Sequence, residues 1–177
     1  GEKEQVRPHF TYYGFRYVKV EGFTKEISAE QFTGCVLYSD LEQTGWITTS
    51  NDKVNQLIQN AMWGQKSNYV DIPTDCPQRD ERMGWTADTQ VFSGTACFNM
   101  DSYNFLRKFS HDLFETQQEY GHVTSVIPAF HENGPTCSVW GDAATIIPWN
   151  LYLYYGDINI LKEQFESMRQ WVDYIKG

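Results

Sequence analysis

Basic side chains are scarce in this chain. Fourteen Lys and Arg stand against 23 Asp and Glu, the formal net charge is −9, and no basic cluster interrupts the imbalance. Gripping a phosphate backbone takes a basic footprint, so neither nucleic acid nor an anionic membrane surface is an expected partner. Long apolar runs are missing as well: nothing approaches the ~18 residues of a membrane span. The opening Gly1-Glu2-Lys3-Glu4-Gln5 is polar and holds no signal-peptide core, which leaves the cellular compartment unread. Cysteine is sparse, with Cys35, Cys76, Cys97 and Cys137 far apart, no Cys-x-x-Cys pair and no His at zinc-finger spacing. Free thiols and no structural zinc are the expectation, and no metal or cofactor is invoked. There is no internal repeat and no low-complexity stretch.

Aromatic residues, by contrast, make up 16% of the 177 residues. That is enough for a thick core or for flat surfaces on which sugars stack. From His9 to Leu41 the chain carries β-branched and aromatic residues (Phe10, Tyr12, Phe15, Tyr17, Val18, Val20), a turn at Glu21-Gly22 and a second run at Cys35–Tyr38. These are strand signals, though two or three strands make no stable sheet alone.

After Gly45-Trp46 the period becomes helical. Ser50 or Asn51 can cap a helix bearing Val54, Leu57, Ile58, Ala61 and Met62 on one face. A further helix is expected over Ala87–Phe98, and another opens at Asp101 or Ser102, carries Leu106, Phe109 and Leu113, and stops at Gly121. Ala143–Tyr155 is apolar almost all round and should be surrounded by protein, kinked or begun at Pro148. Asp142 is a candidate cap for it. Asp157 opens a last helix with Leu161, Phe165, Met168, Val172 and Ile175 in line. Residues 1–45 therefore divide from 46–177. Trp46, Trp63, Trp149 and Trp171 are expected to pack in the core.

One run fits neither a core nor an ordinary solvated face. Asp75-Cys76-Pro77-Gln78-Arg79-Asp80-Glu81-Arg82-Met83-Gly84-Trp85-Thr86-Ala87-Asp88 gathers three Asp, one Glu, two Arg and an indole around two backbone breakers. Charge density alone would suit a solvated, salt-bridged loop. With Cys, Pro and Trp among the charges, it suits a loop that grips a hydroxylated ligand and moves protons. On residue type alone, Asp80 and Glu81 compete for the role of proton donor. The loop from Tyr120 to Ser138 is long for a helix connection and is a candidate rim of the pocket. Histidines His111, His122 and His131 have no assigned role beyond the surface.

This run resembles the signature of the bacterial α-L-rhamnosidases, inverting glycoside hydrolases with an (α/α)6 catalytic barrel. Gly14-Phe15-Arg16-Tyr17 is similar to the end of the β-sandwich before that barrel. Val139-Trp140-Gly141-Asp142-Ala143-Ala144, Pro148-Trp149 and Tyr155-Gly156-Asp157 are similar to barrel segments. Ala87 departs from the Gly common in the family but removes no functional group. The resemblance implies a mainly α fold: part of an (α/α)6 toroid over 46–177, preceded by the terminal strands of a β-sandwich over 1–45.

The resemblance also implies roles. Glu81 is the general acid, Asp75 and Asp88 hold rhamnose hydroxyls, Trp85 and Trp140 wall the sugar pocket, and Arg79 orients a carboxylate or touches a hydroxyl. The family's general base is a glutamate that would lie beyond Gly177. The implied partner is a rhamnose-containing glycoside or oligosaccharide, cleaved with inversion, and the piece alone is expected to be inactive. Two alternatives stand beside this: a non-catalytic carbohydrate-binding or structural piece, and an α-toroid glycosidase with another sugar preference.

Overall fold

The computed structural model describes residues 4–130 and 136–177. Five helices carry the architecture: α1 (Asp52–Asn68), α2 (Thr86–Asn99), α3 (Tyr103–Tyr120), α4 (Ala143–Tyr155) and α5 (Ile158–Lys176). Between α1 and α2 lies a hairpin of two-residue strands, β1 (Tyr69–Val70) and β2 (Ile72–Pro73), paired antiparallel. Asp71, at φ 66°, makes the turn.

Local signals set the helix ends. The Asn51 side chain accepts from the backbone N–H of Lys53 and Val54, and Asp157 accepts from Asn159. Gly121 ends α3 in the left-handed region. Asp142 occupies the N-cap position of α4 without capping it. Its carboxylate accepts instead from Val139 N–H at 2.8 Å and from the Trp171 indole at 3.0 Å.

The core is built on α4, which packs against α2, α3 and α5. Leu106, Phe109, Ile147, Leu151 and Ile160 are fully out of water, with Leu113 and Trp171 nearly so. Several buried polar side chains satisfy one another. Gln65 of α1 accepts from Asn99 at 3.0 Å and donates towards the Ala96 carbonyl and the Ser102 hydroxyl, while Ser167 donates to Gln117 at 2.6 Å. Closed networks of this kind avoid the cost of a buried unpaired group.

Several expectations are corrected. α5 turns Ile160, Gln164, Ser167 and Trp171 inward and leaves Phe165, Val172 and Ile175 exposed. Two helical stripes coexist on it, and the one used here includes two polar residues, so hydrophobicity alone points to the other. α4 is not surrounded: Trp149, Leu153 and Tyr154 are exposed. Pro148 lies inside that helix, within its first two turns. Of the four tryptophans expected in the core, only Trp171 is there, and Trp46, Trp63 and Trp149 are exposed.

Residues 9–41 contain no strand. Their one regular element is a 3-10 turn at Ala29–Gln31, because the described residues offer this segment no neighbouring strand to complete a ladder. Its ties to the helical body are few. The Ser39 N–H donates to the Tyr69 carbonyl at 2.7 Å, and its hydroxyl accepts from the Asp71 N–H at 3.0 Å. All four cysteines are unpaired; Cys76 and Cys97 are buried, and Cys35 and Cys137 are exposed.

Candidate active site

The acidic run leaves β2, loops out over residues 75–83 and re-enters as the first turn of α2. The loop is closed on itself, with the Asp75 N–H donating to the Met83 carbonyl at 3.3 Å. Its exit is sewn to the segment 124–127: Ile127 N–H donates to the Gly84 carbonyl at 2.9 Å and Thr86 N–H to the Ser125 carbonyl at 2.9 Å. Gly84 is required there, since a Cβ would lie 2.2 Å from the Ile127 carbonyl oxygen. Within the long 120–138 connection, the stretch 123–127 is therefore a buried support rather than a rim: Val123, Thr124, Val126 and Ile127 are all out of water. His131 lies outside the described residues.

Four of the six residues singled out from the sequence meet in one network. Glu81 accepts from the Trp85 indole N–H at 2.8 Å through one carboxylate oxygen and pairs with Arg79 through the other. Arg79 also reaches Asp75 at 3.3 Å, and its Nε donates to the Cys76 sulfur at 3.0 Å. Asp75, Cys76 and Glu81 bring potential metal ligands within 4.8 Å of one another. The positive charge that such a trio attracts is supplied here by the Arg79 guanidinium. Burial pushes the Cys76 thiol above its ordinary range, with Asp75 adding to the effect. Arg79 is held more firmly charged, first by Cys76 and then by Glu81 and Asp75. The part played by Cys76 carries no sequence signal, since sulfur acceptors have no motif.

Asp75 is mostly enclosed, and its Oδ1 is buried without a hydrogen-bond partner. It lines a cleft of about 470 Å³ together with Asp88, Gln65, Asn68 and Phe92. Asp88 joins the site through this cleft and not by contact with the Glu81 network. Glu81, Arg79, Trp85 and Trp140 are not part of its lining. Trp140 precedes α4, is partly buried, and has its indole N–H out of water with no acceptor. No hydrogen bond links it to the acidic loop.

Comparison with known proteins places this arrangement. Residues 42–177 match the family model described as the bacterial alpha-L-rhamnosidase 6 hairpin glycosidase domain, and residues 1–38 match the bacterial alpha-L-rhamnosidase concanavalin-like domain. An alpha-L-rhamnosidase of Formosa agariphila is 47% identical over 167 residues, covering 93% of this chain and 18% of that protein. Among solved structures, the alpha-L-rhamnosidase from Dictyoglumus thermophilum matches with a TM-score of 0.78 at 41% identity, over 81% of this chain and 16% of its own. That of Streptomyces avermitilis, complexed with L-rhamnose, matches with a TM-score of 0.76 at 39% identity, over 78% of this chain and 14% of its own. The chain spans less than a fifth of the length of the curated relatives it matches. The mainly helical architecture read from the sequence, a portion of an α-toroid, agrees with the matched domain. The chain belongs to the bacterial alpha-L-rhamnosidase family.

Proposed function

We propose that this chain supplies the proton-donating half of a glycoside hydrolase that removes terminal α-L-rhamnosyl residues with inversion. Residues 1–45 are the closing part of a β-sandwich, and 46–177 are the opening part of the catalytic toroid. Glu81 is the general acid that protonates the departing glycosidic oxygen. The observation that carries this reading is the hold on its carboxylate: a 2.8 Å indole bond on one oxygen and Arg79 on the other. A donor must be aimed before it can deliver. Asp80, exposed and outside this network, has no such aim.

Asp75 has an acceptor oxygen without a partner and faces the cleft with Asp88. A carboxylate pair of this kind accepts hydrogen bonds from neighbouring sugar hydroxyls. Arg79 orients Asp75 and Glu81 relative to each other. Trp85 and Trp140 offer indole faces to the 6-deoxy methyl of rhamnose. In an inverting enzyme the base stands ~6.5–9.5 Å from the acid to admit a water, and that second carboxylate belongs to a part of the toroid outside this chain.

The test is Glu81→Gln in a protein of the relatives' length that carries this chain. Hydrolysis of an alkyl rhamnoside should fall by about 10²- to 10⁴-fold. A dinitrophenyl rhamnoside, whose leaving group needs no proton, should lose far less. Equal losses on both substrates would remove Glu81 from the acid role. The 177-residue chain alone should release no chromophore from an aryl rhamnoside. Should Glu81→Gln be fully active while the chain binds L-rhamnose in a calorimeter, the non-catalytic binding reading takes its place. Faster turnover of fucosides or glucosides would reassign the sugar.

A further inference from the structure

The acidic loop is fastened at both ends by backbone hydrogen bonds, and in its middle by side chains. From Pro77 to Arg82 no backbone-to-backbone hydrogen bond is made, the Arg82 backbone bonding to the Cys76 side chain instead, and Arg82 sits at φ 52°, in the left-handed region that non-glycine residues avoid. The Trp85 indole and Arg79 hold the two Glu81 oxygens, and neither contact reaches the Arg82 side chain. Something else must hold that side chain.

That hold comes from the far end of the chain. The Arg82 guanidinium lies 4.4 Å from the centroid of the Tyr12 ring. Two residues on, Gly14 presses against the loop so closely that a Cβ would stand 2.9 Å from the Gln78 Cα. Tyr12, Gly14 and Arg82 are each partly buried, in a segment that is otherwise mostly exposed. The Arg82 Nε is out of water with no hydrogen-bond partner, so the π face of Tyr12 is what answers this cation. The two arginines flanking Glu81 thus divide their work: Arg79 meets the carboxylates and Arg82 meets the ring.

We propose that Tyr12 and Gly14 form a clamp on Arg82 and Gln78 that positions the Glu81 carboxylate, making them positioning residues supplied by the segment that precedes the helical body. The proposal rests on the reading of Glu81 as the acid. Arg82 is the next residue in the chain, so a rotation at its backbone swings Glu81 directly, and a misplacement of about 1 Å can cost roughly 10²-fold in rate.

Kinetics on the protein of full length test it. Tyr12→Ala should lower kcat for an alkyl rhamnoside by about 10- to 100-fold, leave KM nearly unchanged and barely affect a dinitrophenyl rhamnoside. Tyr12→Phe should restore the rate, since a phenyl face also attracts a cation. Arg82→Gln should reproduce Tyr12→Ala, and the double variant should be no worse than the poorer single, because both remove one contact. Tyr12→Ala without effect on the alkyl substrate, alongside a Glu81→Gln that retains its leaving-group dependence, overturns the clamp and leaves the acid assignment intact. A Glu81→Gln without that dependence overturns the acid assignment, and the clamp with it. Equal losses on both substrates, accompanied by a lowered Tm and no rescue by Tyr12→Phe, make the contact structural glue and overturn the clamp.

Discussion

Residues 9–41 and residues 143–155 are both dense in large apolar side chains, yet they end in opposite states. Ala143–Tyr155 is a helix at the centre of the core, whereas Phe10, Tyr17 and Val18 stand fully or largely in water and no ladder forms around them. Composition does not separate the two. The difference is in where the backbone finds its partners. A helix closes its hydrogen bonds within its own segment, so 143–155 needs no second segment to complete its ladder. A strand has none until another strand arrives, so side chains with strong β propensity cannot organise 9–41 alone. Apolar side chains consolidate only after the backbone is satisfied.

Core truncation is the strongest way to break this contrast. Leu106→Ala or Ile147→Ala should each cost about 2–5 kcal/mol of stability, read as a fall in the urea midpoint followed by circular dichroism. Phe10→Ala and Tyr17→Ala should stay within about 0.5 kcal/mol. A loss at Phe10 comparable to that at Leu106 would mean that the first segment has a packed interior after all.

Caps give a finer contrast. Asn51 and Ser28 both accept backbone N–H bonds, but Asn51 opens a helix of 17 residues and Ser28 a turn of three. Asn51→Ala is expected to cost about 1 kcal/mol, and Ser28→Ala should leave the midpoint where it was. Matching losses at both would show that the turn is coupled to the global unfolding transition.

The smallest effect is expected from charge. Arg107 of α3 grips Glu163 of α5 with two bonds of 2.8 and 2.9 Å, whereas Lys19 and Glu21 pair in open solvent. Hydrogen bonds from Arg107 hold the Glu163 carboxyl below its ordinary range, against a smaller opposing effect of burial. A carboxyl with a lowered folded pKa stabilises the fold fully above its unfolded value of about 4.3. That stabilisation is lost as the pH falls through the lower folded value. Glu163→Gln should therefore flatten the fall in stability on acidification below about pH 5, in urea midpoints taken across that range. Glu21→Gln should change the midpoint at neutral pH by no more than about 0.5 kcal/mol, and a profile left unchanged by Glu163→Gln would contradict the contrast.

Most helix boundaries were legible in the sequence because caps, stops and apolar spacing are local. Asn51, Gly121 and Asp157 stand where those signals put them. The faces were less legible. On α5 the buried stripe contains Gln164 and Ser167, whose burial makes sense only once Gln117 and its neighbours on α3 are in place. The membership of the acidic loop was legible too, since Asp75, Arg79, Glu81 and Trp85 fall within a few residues of each other and do meet. Trp140 was placed beside them by resemblance, and no hydrogen bond ties it to them. The supports behind the loop were hidden: Tyr12, Gly14 and Thr124–Ile127 come from distant parts of the chain, and nothing in their spacing marks them as its neighbours.

By itself the sequence determined what is short-ranged: where most helices begin and end, the excess of acid over base, and the concentration of carboxylates, arginines and an indole between Asp75 and Asp88. Those properties depend on a residue and its neighbours within a few positions, which is the reach of a helical turn or a cap. Only the tertiary structure decided which of two stripes on α5 is buried, that Asp142 holds Trp171 rather than capping its own helix, and that Tyr12 lies beneath Arg82. Each of those outcomes is a competition among contacts made across the chain, and packing, not local preference, settles it.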